Sequence, residues 1–160
     1  MAQQLDSLDR EILSMIADNA RIPFLEVART CNVSGAAIHQ RVQKLQQMGV
    51  LIGSEFVIDT YRIGYQTCAF LGIAVNEVKM MDPVVQALKE IPEVVECHSV
   101  TGAYSLFVKI YTKDNKHLMK LILDKIAVIP GVIKTETLHV SLDEHFRHQL
   151  NVFGQEGNND

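Results

Sequence analysis

Between Cys31 and Leu51 the sequence CNVSGAAIHQRVQKLQQMGVL holds no aspartate or glutamate, although the whole chain carries a net charge of −4. Other absences narrow the field. No apolar run approaches the roughly 18–20 residues needed to span a bilayer, and the start MAQQLDSLDREIL has acids where a secretory signal has bases, so a cytoplasmic protein without membrane attachment is expected. Cys31, Cys68 and Cys97 are odd in number, far apart and outside any C-x-x-C spacing. That argues against a disulfide framework and a thiolate metal site, and they are read as small hydrophobes. Gly-rich phosphate loops, H-E-x-x-H and G-x-S-x-G are all missing, which leaves an enzyme little support; Glu93 and Glu96 read as a solvated strand end. After Phe153, the tail GQEGNND has no apolar residue, and 154–160 is expected to be disordered.

What is present describes an ordinary globular chain. Its 160 residues, 48% hydrophobic and 21% charged, can bury one good core or two small ones. A pI near 5.8 means that bulk charge does not attract polyanions, so any nucleic-acid contact has to come from local patterning.

In the first third, Leu5, Leu8, Ile12, Leu13 and Ile16 recur at helical spacing behind a possible capping box of Asp6 and Asp9, predicting a helix over Ser7–Asp18. A second short helix begins near Pro23, turns Phe24, Val27 and Ala28 inward, and ends at Asn32, which tolerates the left-handed conformation. Ser34 is a good N-cap for a third helix running to Met48 and stopping at Gly49. The following VLIGSEFVID, 50–59, alternates well enough to predict a strand, the wing of a winged helix-turn-helix.

Within the third helix Ile38, Val42 and Leu45 define the buried stripe. At 100° per residue, Ala36, Gln40, Gln43 and Gln47 then point outward, flanked by His39 and Gln46 on one side and Ala37 and Lys44 on the other. Small residues near the N-terminus, amides beyond them and no acid nearby suit a helix entering the DNA major groove. The candidate DNA-facing residues are Ser34, Gly35, Ala36, His39, Gln40, Arg41, Gln43 and Lys44. Arg41 lies nearer the core seam than the outward face, and an internal ion pair with Asp9 or Glu26 is an equal alternative for it.

From residue 66 the pattern reads strand (66–77), helix (82–91), strand (94–101), a Gly102-Ala103 turn, strand (104–112), helix (115–129) and strand (132–142). This is the βαββαβ, ferredoxin-like order, an antiparallel sheet with two helices on one face, and makes the chain α+β. In the first strand both alternating sets are apolar or small, so the second sheet face is expected to be covered by another copy of the chain. The divisions expected are 1–52 for DNA binding, 53–64 as a linking strand or hinge, and 65–153 for the α/β domain.

These residues resemble the Lrp/AsnC, or feast/famine, regulators along nearly the whole chain. The family's L-D-x-x-D-x-x-I-L is similar to Leu5, Asp6, Asp9, Ile12 and Leu13, and its helix-turn-helix ending to Ser34, Ile38, Arg41, Val42, Leu45, Gly49, Val50 and Leu51. Its V-T-G-x-Y-D resembles Val100 to Ser105, and its I-P-G-V-x-x-T-x-T resembles Ile129 to Val132 with Thr135 and Thr137.

The resemblance implies a transcription regulator that binds double-stranded DNA, assembles as dimers and an octamer of four dimers, and needs no cofactor. It also implies an amino acid or similar metabolite as effector, bound between dimers at Thr101, Gly102, Ala103, Tyr104, Ser105, Thr135 and Thr137. Pro23 stands where a Ser N-cap is common, Asn32 where Gly is usual, and Ser105 where Asp is frequent, so the carboxylate that would meet a ligand ammonium is missing. A metal sensor built on His139, His145 and His148 and a ligand-free assembly platform are the rival readings.

Overall fold

The computed structural model describes residues 4–140 and Val152. The chain divides into two units, one extending to Val57 and including Val152, the other beginning at Ile58.

In the first unit, α1 (Ser7–Asp18), α2 (Phe24–Thr30) and α3 (Gly35–Gln47) surround a small core of Ile12, Val27, Ala28, Ile38 and Val42. The capping box is complete: the Asp6 carboxylate accepts the Asp9 N–H at 2.8 Å, and Asp9 reciprocates at 3.3 Å. Pro23 sits just before α2, its carbonyl accepting from Glu26 and Val27. Asn32 takes φ 54°, which lets the Val33 N–H return to the Ala28 carbonyl at 3.0 Å, closing α2 and turning the chain within two residues. Ser34 Oγ then accepts the Ala37 N–H at 3.2 Å and starts α3.

The strand expected over 50–59 is absent. No strand lies beside this segment among the described residues, and alternation alone does not make a strand without a partner ladder. Leu51 packs against the first core, while apolar residues beyond it stay outside, Ile52 94% and Val57 81% exposed. Phe56 is covered on one side by the Arg21 guanidinium, 4.3 Å from the ring centroid.

In the second unit β1 (Thr67–Val75), α4 (Met81–Lys89), β2 (Val94–Ser99), β3 (Leu106–Thr112), α5 (Asn115–Leu121) and β4 (Val132–Val140) follow the βαββαβ order. The sheet is antiparallel, with spatial order β2-β3-β1-β4. Leu71, Ile73, Leu106, Val108 and Ile110 form the buried face against Val84, Leu88, Leu118 and Ile126.

Several boundaries differ from the sequence expectation, among them β2, expected over 94–101 and observed as Val94–Ser99. Ile122–Ile126 form a π turn, in which the Ala127 N–H reaches the Ile122 carbonyl at 2.8 Å, so the last helix is not α throughout. Tyr104 and Ser105 precede β3 rather than open it, although the Ser105 N–H still donates to the Ile73 carbonyl of β1 at 2.9 Å. Leaving the ladder early, Asn76 donates to the Gly131 carbonyl at 3.0 Å and ends β1. The end of the last expected strand, His145, His148 and the tail 154–160 lie outside the described residues.

Candidate nucleic-acid interface and effector loop

α3 is held from below by Ile38 and Leu45, both fully buried, and by Val42. Ala36, Gln40, Gln43, Lys44 and Gln47 are exposed above them, with Gly35 and Ala37 half-buried beside the helix start. His39 is exposed too, but its ring packs edge-on against Phe24 of α2, 4.7 Å between centroids. Arg41 turns the other way. Its Nη1 donates to Asp9 Oδ1 at 2.8 Å and also to Asp6 Oδ2, joining α3 to the capping box of α1.

Of the two expectations for Arg41, the internal ion pair with Asp9 is the one observed. It is engaged inside the unit rather than held toward DNA, and Asp6 joins Asp9 as its partner while Glu26 does not. Asp9 is 1% exposed, so the guanidinium neutralises a carboxylate that water cannot reach. Arg41 also holds the Asp6 carboxyl below its ordinary range, and the Asp9 N–H adds to the effect.

Between β2 and β3, the candidate effector loop is exposed at Thr101, Gly102 and Ala103. Gly102 has φ 124°, a conformation open to glycine, and a Cβ there would meet nothing within 4 Å. Tyr104 leaves this loop and lays its ring over β1 at Gly72, where an added Cβ would stand 2.8 Å from ring carbons. Its hydroxyl donates to Glu136 of β4. Lys134 Nζ lies 3.5 Å from the same carboxylate and 5.8 Å from the Tyr104 centroid. Donation by Tyr104, then by Lys134, keeps the Glu136 carboxyl below its ordinary range, and the bond to Glu136 pushes the Tyr104 phenol up.

Thr135 and Thr137 do not join that cluster. They pair with Ile73 and Leu71, on the helix-covered face, whereas Glu136 pairs with Gly72 on the other. Ser105 Oγ is occupied as an acceptor for the Val75 N–H at 3.2 Å. Glu136 and Lys134 were not candidates from the sequence, yet a signal was there: a glycine inside an otherwise apolar strand often marks a close approach.

Glu93 also departs from expectation. It is 17% exposed rather than solvated, because its side chain folds onto His117 of α5, Oε1 lying 3.2 Å from Nε2. Among the described residues no three His, Cys, Asp or Glu side chains are placed to hold a metal, and no helix is long and apolar enough to cross a membrane.

A helix-turn-helix with an acid-free outer face, followed in the chain by a ferredoxin-like domain, is the arrangement of a DNA-binding regulator. Residues 5–46 match the AsnC-type helix-turn-helix domain, and residues 68–150 match the Lrp/AsnC ligand binding domain. The Haemophilus influenzae protein named regulatory protein AsnC is 38% identical over 134 residues, covering 84% of this chain and 89% of that one. Its Escherichia coli namesake is 34% identical over 136 residues, 85% and 90% of the two chains. The structure of E. coli AsnC superposes with a TM-score of 0.84 at 32% identity, over 93% of this chain and 99% of that one. At 19% identity, a Neisseria meningitidis transcriptional regulator solved as an L-Met complex shares the fold, with a TM-score of 0.83 over 91% and 94%. The chain belongs to the Lrp/AsnC family of transcriptional regulators. Its relatives are regulators and not enzymes.

Proposed function

We propose that the protein regulates transcription as a homo-oligomer that reads a specific DNA site through α3 and responds to a free amino acid. The observation that carries the DNA reading is the exposed outer face of α3, polar and without a carboxylate. Ser34, Gly35 and Ala36 allow close approach to the backbone of the duplex, Gln40 and Gln43 reach base edges, and Lys44 meets a phosphate. His39 stands at the edge of this set on Phe24, and Arg41 acts as the strut beneath it.

The match to a ligand binding domain and the open loop at Gly102 favour an effector at Thr101–Ser105. For assembly, the support is the second sheet face, where Phe70 and Phe107 stack with centroids 5.6 Å apart and Leu138 is 56% exposed. A second copy across a two-fold axis would cover these groups, and four such dimers would make the octamer.

Selecting bound sequences from random DNA, with and without each amino acid, tests both halves. A preferred site is expected, and one amino acid should change its occupancy. Enrichment of no sequence would sink the DNA reading; enrichment indifferent to every amino acid would sink the effector reading.

A further inference from the structure

α1 is apolar beyond the stripe that enters the small core. Leu13, Ile16, Ala17 and Ala20 recur at helical spacing and wall one side of a groove of about 700 Å³, and the segment 50–57, with Ile52 and Val57, walls the other. Both of those side chains are exposed, so the groove is apolar and open. One residue from the far end of the chain lines it as well. This is Val152, half-buried, whose carbonyl accepts from Arg10 Nη1 of α1 at 3.1 Å. Phe153 follows, and after it come only GQEGNND, without an apolar side chain.

We propose that this groove is the docking site of the chain's own C-terminal segment, with the Arg10–Val152 bond as its latch and the Phe153 ring as the group that fills it. A carbonyl anchored at the rim holds the next side chain within one residue of the groove, and in residues 153–160 Phe153 alone has apolar area to bury there. The chain leaves the first unit after Val57 and is back in it at Val152, so docking gives that unit a second attachment to the α/β unit. A unit held at both ends spreads less freely over DNA, which narrows the spacings between half-sites that the protein accepts. That consequence rests on the DNA reading given above; the docking itself does not.

The sequence has no tryptophan, so Phe153→Trp places a single reporter in the full-length chain. Its emission should be blue-shifted and resist quenching by acrylamide. Adding Ala17→Glu or Ala20→Glu, both at groove positions outside the small core, should return the emission to that of a solvated tail. Solvated emission from Phe153→Trp alone, or a blue shift that survives both glutamates with circular dichroism unchanged, would overturn the proposal. Refolding the chain carrying Phe153→Trp and Ala17→Glu with an excess of wild type separates its own groove from a neighbour's. Emission should stay solvated; a recovered blue shift would give the groove to the tail of a second copy and overturn the intramolecular assignment. On DNA, Phe153→Ala should accept a wider range of half-site spacings than the wild type. An equally narrow range would overturn the restraint on spacing, and failure of the wild type to bind any site would overturn the DNA reading, while fluorescence still decides the docking.

Discussion

Arg41 shows how one residue can look like a DNA contact and be a strut. Its position on α3, 60° or so from the buried stripe, leaves it able to reach either way. What decides is Asp9, buried and ionisable, which needs a partner more than a solvated phosphate does. Arg41→Ala should therefore destabilise the first unit by about 2–3 kcal/mol, by leaving the Asp9 carboxylate buried without its cation.

The pH dependence has a definite sign. Because the folded Asp6 pKa is depressed, its contribution is present above the unfolded value of about 3.9 and is lost as pH falls through the lower folded one. Acid unfolding followed by circular dichroism should thus be shallower in Arg41→Ala than in the wild type over that window. An equally steep transition would assign the acid sensitivity elsewhere.

The outer face makes a different demand. Lys44→Ala should reduce the slope of log affinity against log salt by about one ion while leaving site preference alone. Gln43→Ala should change preference at one base position by about 1–3 kcal/mol. Uniform weakening on all sequences by Gln43→Ala would remove it from base reading.

Among the elements, the helices were the most legible, because caps and stripes are local. Asp6 with Asp9, Ser34 and Gly49 announce ends in the sequence, and the structure uses each for that purpose. Asn32 sits at φ 54°, so Asn32→Gly should be close to neutral in thermal unfolding. A β-branched Asn32→Val should cost about 1–2 kcal/mol. Equal melting temperatures for these two variants would mean that the turn relaxes.

Segment 50–59 was misread for the opposite reason: a strand depends on what lies beside it, and alternation carries no information about the neighbour. The π turn at Ile122–Ile126 was invisible for a related cause, since an apolar helical stripe reads the same whether a carbonyl is reached four or five residues on. Glu136 was missed because its importance comes through Tyr104 and Gly72, residues 32 and 64 positions away that only the sheet brings together.

At the scale of the molecule, the order of strands and helices was readable from the two halves of the α/β unit, and the β2-β3-β1-β4 sheet follows from it. The second sheet face is the feature with consequences for assembly. Lys109 lies over both Phe70 and Tyr111, 5.7 and 5.4 Å from the ring centroids, softening the exposure of that aromatic row without covering it. Phe107→Asp should lower the oligomeric state measured by sedimentation while the separate units stay folded. An unchanged particle mass would place the contact on another surface.

The ion pair of Arg41 finally bears on how such a protein can hold DNA at all. With that guanidinium committed inward, the stretch from Val27 to Ser54 offers the duplex only Arg29 and Lys44 as formal charges. Two phosphate neutralisations from this stretch would make only a weak and modestly salt-sensitive contribution to the grip. Occupancy would then grow with the number of reading units engaged at once: joining two of them turns the second contact into an intramolecular event, and avidity can exceed either affinity by about 10²–10⁴. Spacing between sites, more than the letters of any one site, would set where the protein stays.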